Sequence, residues 1–293
     1  MNNPLNSIIF SGKLLIVVII CSCTGILCTK KSAFSPAELL FDPIPETHQL
    51  NPILKEVSGI ADSKINPGYL WGEQDGGNPT QVALLNYDGT VTKEIYLKGI
   101  RNVDWEDLGL YNDSLYLADI GGNNSVRNQC SFYVFAEPDV STDTVYAFRK
   151  IDFQYPDGAH DAEAFLIDRN SKDIFIITKR DQPSLVYQLK YPYSSGVNML
   201  LKVGKLDYTG VVSAASSITD KEIIIKTYDK LNYYIRDAGQ SIMECLTNTP
   251  VLLPYIKEPQ GEAVCFSQKS DGYFTLSEQG LSPLVNLYLY KRK

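Results

Sequence analysis

Histidine is nearly absent: His48 and His160 are the only two in a chain of 293 residues. That supply serves a Ser–His–Asp hydrolase poorly, and no GxSxG elbow offers a nucleophile. His160 beside Asp161 could act as a base, although a loop histidine at a strand start accounts for it equally well. Close cysteine pairs of the CxxC kind are also missing, which argues against a zinc site. Basic residues are in the minority, 27 Lys+Arg against 34 Asp+Glu, for a net charge of −7. No basic stripe is present to follow a phosphate backbone, so nucleic acid is not an expected partner. No segment carries a convincing helical period. Gly121-Gly122 does not open a helix after a parallel strand, so no nucleotide-binding fold follows.

The first residues read as an address. Lys13 precedes an apolar run from Leu14 to Ile20, too short to cross a bilayer as a helix, which needs about 20 residues. Ile20-Cys21-Ser22-Cys23 has the form of a bacterial lipobox, with an aliphatic residue at −3 and a small one at −1. Residues 1–23 are therefore expected to be a lipoprotein-type signal peptide with Cys23 as the lipidation site, and residues 24–38 a tether. Multiple acyl chains on such a cysteine would hold the protein to a membrane. The expected location is the bacterial cell envelope, anchored to the outer or cytoplasmic membrane; if the lipobox is not used, the protein is secreted. Three of the six cysteines lie in this leader region, leaving Cys130, Cys245 and Cys265 in the globular part. Either one disulfide with a spare thiol or none at all fits that number.

What is plentiful is β-forming sequence: aromatics make up 11% of the chain, led by 19 tyrosines. A short apolar strand recurs at Glu56-Val57-Ser58-Gly59-Ile60, Asp104-Trp105-Glu106-Asp107-Leu108, Asp161-Ala162-Glu163-Ala164-Phe165, Val211-Val212-Ser213-Ala214-Ala215 and Gln260-Gly261-Glu262-Ala263-Val264. The period is that of a four-stranded propeller blade with its turns. Each copy is followed by a second hydrophobic strand such as Ile174 to Ile177 or Ile223 to Ile225. Asn86-Tyr87-Asp88-Gly89-Thr90 marks a hairpin turn. Residues 39–293 are thus expected to form an all-β domain, a single β-propeller of about five four-stranded blades. The long second repeat leaves room for a sixth. Too few residues follow Glu262 for a full blade, so a strand from roughly Leu39 to Ile53 is expected to complete the last blade and close the ring.

First strands of blades line a central channel, and side chains two apart share a face. With Ser213 taken as the fourth-repeat counterpart of the glutamates, Glu106, Glu163 and Glu262 come to one height, flanked by Asp104 and Asp161. Carboxylates so placed raise one another's pKa unless a cation intervenes, and calcium prefers six to eight oxygen ligands. The same side chains would equally well accept hydrogen bonds from neighbouring blades and order channel water. At the rim, Asp119, Lys179, Arg180, Lys226 and Glu278 suggest a mixed-charge mouth for a small polar or anionic ligand.

Ser58-Gly59-Ile60, Asp104-Trp105-Glu106-Asp107-Leu108, Asp119-Ile120-Gly121-Gly122-Asn123, Asp161-Ala162-Glu163-Ala164-Phe165, Lys226-Thr227-Tyr228 and Gln260-Gly261-Glu262-Ala263, in this order, resemble the blade motifs of SdiA-regulated and esterase-like phytase propellers. Arg127 and Glu137-Pro138 fall where similar proteins carry them. The likeness runs over most of residues 54 to 290. It implies a propeller, an extracytoplasmic place and calcium in the channel, without fixing an activity.

Two functions follow as expectations. The first is a cell-envelope binding or scaffold module, with a small ligand or a protein or glycan partner. The alternative is a metal-assisted phosphoesterase, with Glu106, Glu163 and Glu262 holding calcium and Lys179, Arg180 and Lys226 stabilising phosphoryl charge. The chain lacks the dense Asp/Glu clusters that a site for several calcium ions would want.

Overall fold

The computed structural model describes residues 40–124 and 126–293. The expected signal peptide (1–23), with its lipidation candidate Cys23, and the expected tether (24–38) lie outside the described residues.

Among the described residues β1 (Glu46–Gln49) is the first strand, and five sheets follow in succession, antiparallel except at two short edge strands. Blade 1 comprises β2 (Val57–Asp62), β3 (Tyr69–Gln74), β4 (Gln81–Asn86) and β5 (Val91–Leu97). Blade 2 comprises β6 (Trp105–Tyr111), β7 (Ser114–Asp119) and β8 (Cys130–Ala136). After these, β9 (Thr144–Val145) leaves to pair in parallel with β5 of blade 1, and β10 (Arg149–Gln154) returns to blade 2. Blade 3 comprises β11 (Ala162–Ile167), β12 (Ile174–Thr178) and β13 (Leu185–Leu189). Here β14 (Asn198–Met199) reaches back to β10, and β15 (Leu201–Lys205) completes the sheet. Blade 4 comprises β16 (Val211–Ser216), β17 (Glu222–Thr227) and β18 (Leu231–Ile235). A short helix, α1 (Ile242–Leu246), and β19 (Val251–Leu252) follow. Blade 5 comprises β20 (Gln260–Phe266), β21 (Gly272–Glu278) and β22 (Asn286–Lys291), and its outermost strand is β1.

The protein is therefore a five-bladed β-propeller, and the N-terminal strand closes the ring as the residue count after Glu262 requires. The described residues form no sixth blade. The surplus length of the second repeat goes instead into β9, which backs onto the preceding blade. The helix α1 is too short to leave a periodic signature; a reciprocal capping box between Ser241 and Glu244 starts it.

Apolar side chains are distributed as five separate wedges, one at each blade–blade interface. That explains the continuous apolar runs. A first or second strand is covered on both faces by neighbouring blades, so Ile174–Thr178 is buried at every position. A fourth strand such as Val91–Leu97 faces solvent on one side and largely alternates. The turn between β4 and β5 depends on Gly89, whose φ of +86° puts it in the left-handed region. The three globular cysteines are free and buried, with burial raising the pKa of each thiol, so they behave as small apolar side chains.

Polar links tie the wedges together. Glu137, after β8, accepts bonds from Ser63 Oγ at 2.6 Å and Trp71 Nε1 at 2.9 Å, joining blade 2 to blade 1. Arg236 reaches Asp168 at 2.6 Å and also Asp220, joining blade 4 to blade 3. At the seam, Phe41 is wholly buried, edge-on to Tyr273 at 5.0 Å and beneath the Arg292 guanidinium at 4.6 Å. Truncation of a buried aromatic costs about 3–5 kcal/mol. Phe41→Ala is accordingly expected to lower the melting temperature by roughly 6–20 °C, at about 2–4 °C per kcal/mol for a chain of this size. A shift under about 2 °C in a thermal scan would mean that the seam contributes little to holding the ring.

Candidate functional site

Each of the five first strands is irregular at the same place. Pairing with the second strand skips one residue between Val57 and Gly59, Trp105 and Asp107, Ala162 and Ala164, and Val211 and Val212's successor Ser213; it skips again between Gln260 and Ala263. A bulge of this kind bends the strand and re-aims the extra side chain. Counting back from the residue where pairing resumes, the bulged position holds Ser58, Glu106, Glu163, Val212 and Glu262. This corrects the sequence alignment of blade 4: Val212, not Ser213, stands level with the glutamates. Ser213 comes level with Asp107 instead, and its hydroxyl donates to Asp107 Oδ1 across the channel at 3.3 Å.

The bulges gather acids at the channel mouth where the first strands begin. Oxygens of Asp75, Asp104 and Glu106 lie within 4.8 Å of one another, as do those of Glu106, Asp161 and Glu163. Glu106 belongs to both groups. Its side chain is buried yet draws no hydrogen bond or ion pair from the described residues. Glu163 Oε2 is likewise buried without a partner. Space for this packing comes from Gly121, where a Cβ would stand 2.1 Å from Glu106 Oε1.

The remaining groups are paired. Lys179 Nζ lies 2.5 Å from Glu163 Oε1 and 3.5 Å from Glu262 Oε1, and Tyr228 donates its hydroxyl proton to the same Glu262 oxygen. Glu262 belongs to neither acid group, although it shares Lys179 with Glu163. Arg180 Nε is 2.6 Å from Asp161 Oδ2, and Arg127 is 2.6 Å from Asp119 Oδ1. Gln260 donates to Glu278 at 2.9 Å. Lys226 does not stand at the rim. It is fully buried between blades 4 and 5, 2.8 Å from Glu258 and 4.0 Å from the centre of the Tyr255 ring. Glu258 also accepts from Thr275 at 2.7 Å and Tyr255 at 3.0 Å, so this buried pair is well satisfied.

Burial and mutual repulsion hold many of these acids protonated beyond their ordinary range. Burial, then the charges of Glu163, Asp75 and Asp104, pushes Glu106 well up. Burial does the same for Glu163, with Lys179 opposing and Glu262 reinforcing. Asp75 rises to about 6 through burial, opposed by the Gly76 N–H and reinforced by Asp104. Glu278 rises to about 8 through burial and its neighbours Glu262 and Asp75. Burial also lifts Asp104 and Asp119, against the pull of Arg127. For Lys179 burial alone would lower the pKa, but Glu163 and Glu262 outweigh it and hold the ammonium charged.

Deeper in the channel lie two acids whose role the sequence did not reveal. Glu73 is wholly buried, and burial followed by the charge of Asp107 pushes its pKa well up, against the smaller pull of the Gly59 N–H. Asp107, also raised by burial, accepts from Ser213 and from the Phe165 N–H at 3.4 Å, so it spans blades 2, 3 and 4. Asp75 was legible only as part of a glycine-rich turn, since nothing in Gln74-Asp75-Gly76-Gly77 distinguishes a ligand from turn chemistry.

No protein-family model matches the chain, and no curated protein matches it. Solved structures do. The chain is 13% identical to the one titled "Structure of U3-55K", covering 80% of this chain and 67% of that one, with a TM-score of 0.37. It is also 13% identical to the β-propeller domain of Cps50 (Swd1) from Myceliophteria thermophila, covering 81% and 85% with a TM-score of 0.41. These are likenesses of fold alone. They share the propeller with the motif resemblance noted in the sequence and carry nothing of its SdiA-regulated or phytase character.

Two expectations follow from the electrostatics. A carboxyl whose folded pKa is raised stabilises below its unfolded pKa, and that contribution is lost as pH rises through the folded value. Metal-free protein should therefore melt at a higher temperature at pH 5 than at pH 8. The Glu278→Gln variant should flatten the slope near pH 8. A flat profile for the parent protein from pH 5 to 8 would contradict the raised values. Separately, Lys226→Met strands a buried carboxylate and should cost about 3–5 kcal/mol. The double variant Lys226→Met/Glu258→Gln should recover much of it in urea unfolding, and equal loss in both would deny the pairing.

Proposed function

We propose that this propeller is a binding module of the bacterial cell envelope whose acidic channel mouth holds a calcium ion between Asp75, Asp104 and Glu106. The observation that carries the reading is Glu106, a buried carboxylate with no partner that belongs to both acid groups. The donor set is all carboxylate oxygen, which suits a hard cation and not zinc or copper. Calcium–oxygen distances of about 2.3–2.6 Å put ligands on opposite sides of the ion up to about 5 Å apart, so a 4.8 Å spread fits. The first acid group is the better of the two, because Lys179 and Arg180 already compensate Glu163 and Asp161 in the second. A dication there would relieve the repulsion that raises Asp75, Asp104 and Glu106, and would clamp blade 1 to blade 2.

The envelope location and lipid anchor rest on Lys13, the apolar run and the Cys23 lipobox, together with the resemblance to SdiA-regulated propellers. With calcium in place, the half-exposed Arg180 and the glycine-rich loops would meet a small polar ligand, or a protein or glycan partner, at the rim. The phosphoesterase reading has less to draw on: Lys226, one of its three cations, is committed to Glu258 in the interior, and Lys179 is shared between two glutamates.

Thermal unfolding in EDTA and in calcium, with metal analysis of the purified protein, tests the proposal. At calcium a hundredfold above its Kd the stabilisation is about 2.7 kcal/mol, or roughly 5–10 °C here. Asp75→Asn and Glu106→Gln should abolish that shift while raising the melting temperature of the metal-free protein. Absence of both bound metal and any calcium-dependent shift would sink the calcium site.

A further inference from the structure

The end of the ring away from the acids carries cations seated on aromatic rings. The turns between first and second strands all lie at that end, and Lys64, Lys221 and Lys269 stand in three of them. Blade 3 and the edge of blade 2 add more. Lys172, in the turn between β11 and β12, lies over the Tyr191 ring at 5.0 Å. Arg149, at the start of β10, lies over the Tyr193 ring at 5.2 Å, and the two tyrosines meet edge-on at 5.4 Å. Lys190 precedes Tyr191 in the same loop. Arg149, Lys172 and Lys190 make no ion pair among the described residues. The acids nearby are Asp152 and Asp157, paired with Lys150 and Lys202, and Asp173, which accepts from the Gln188 amide at 2.7 Å and the Tyr191 N–H at 2.8 Å. Five cations against three acids leave a local positive surplus in a chain of net charge −7.

Exposed apolar side chains stand beside these cations. Tyr191, Val197, Met199 and Leu201 are between 44% and 58% exposed, while Tyr193 and Leu200 among them are buried. The loop that carries them is braced. Asn198 accepts from the Ser194 N–H at 2.9 Å and donates to the Asp152 carbonyl at 2.9 Å, and β14 pairs with β10. Lysine, arginine, tyrosine and exposed aliphatics on one braced shelf suit a lipid–water interface. Amphipathic rings rest at headgroup level, and long cationic side chains reach the phosphates.

The course of the chain favours the same partner. The Lys293 N–H donates to the Leu40 carbonyl, and the Arg292 N–H donates to Asp271 in the turn between β20 and β21. The described chain therefore enters the ring at the end where Lys172 lies, not at the acidic mouth. The expected tether, residues 24–38, would span up to about 50 Å when extended, enough to let that end reach a bilayer.

We propose that this shelf docks on an anionic lipid bilayer, with Arg149, Lys172 and Lys190 on headgroup phosphates and Tyr191, Val197 and Met199 at the interface. The acidic mouth then faces away from the membrane, open to its ligand. The inference rests on the envelope reading for the presence of a bilayer, and it uses none of the proposed calcium ligands.

Quenching by brominated lipid tests the proposal on the full chain carrying Tyr191→Trp. The two native tryptophans, Trp71 and Trp105, are wholly buried, so quenching reports position 191. Vesicles of brominated phosphatidylcholine with phosphatidylglycerol should quench it strongly, and vesicles of brominated phosphatidylcholine alone only weakly. Molar NaCl, where the Debye length is about 3 Å, should remove the difference. Arg149→Gln, Lys172→Gln and Lys190→Gln should each lower the ratio of docked to free protein about fivefold. Met199→Ser should lower it at every salt concentration. Unchanged melting temperatures separate these effects from loss of fold. The anchor is read separately: association with pure phosphatidylcholine that survives molar salt comes from lipid on Cys23. Its absence would remove the envelope reading and leave quenching that depends on phosphatidylglycerol intact. Equal quenching in both vesicles, none in either, or no effect of the three glutamine variants overturns the proposal and leaves the shelf to an acidic protein surface.

Discussion

The arrangement of the channel depends on one backbone constraint, the extra residue that every first strand carries near its start. A strand fully in register would alternate its side chains between the two neighbouring blades, as the rest of each sheet does. The bulge breaks that alternation once per blade and at one height, so Glu106, Glu163 and Glu262 turn into the channel. Below the bulge the register resumes and the side chains return to the wedges between blades. The bulges thus divide the molecule into an acidic mouth, a polar crossing at Asp107 and Ser213, and an opposite end of mixed lining where the first strands finish.

The acids come at an energetic cost that the fold offsets unevenly. Lys179, Arg180 and Arg127 compensate Glu163, Glu262, Asp161 and Asp119 through close contacts. Among the described residues no cation makes an ion pair with Asp75, Asp104 or Glu106; burial raises the pKa of all three, with only the more distant Arg127 and Lys179 pulling against it at Asp104 and Glu106. Lys226 shows the contrasting solution: a charge wholly removed from water, surrounded by one carboxylate, an aromatic face and further donors to that carboxylate. It links blades and leaves nothing over for a ligand.

Much of the architecture was legible because blades repeat and each needs the same apolar strands. The spacing of those strands gave the blade number, and the short stretch after Glu262 foretold the closing strand. The bulge was not legible, because an inserted residue inside an apolar strand leaves the pattern of residue types almost unchanged. Hence Ser213 was set level with the glutamates, although Val212 occupies that place. Lys226 looked like a rim residue because it ends an isoleucine run; its burial depends on Glu258, which reaches it from the next blade. Asp75 and Glu73 were similarly hidden, one inside a turn and the other inside an apolar strand, where only the assembled ring shows what surrounds them.

The seam in blade 5 has a mechanical meaning. Strand β1 runs antiparallel to β22, Phe41 bridges Arg292, and the Lys293 N–H donates to the Leu40 carbonyl at 3.0 Å. Residues 40 and 293 therefore lie side by side at one end of a single ladder. Tension applied between them opens that ladder pair by pair, beginning at the Phe41–Arg292 bridge and passing on to Glu46 and Leu289, instead of shearing all its hydrogen bonds together. The same adjacency makes the ring topologically indifferent to where the chain is cut. A short link across this seam, with a new break at the exposed Ser195-Gly196 loop between β13 and β14, would preserve every blade while moving the mechanically weak point to another sheet.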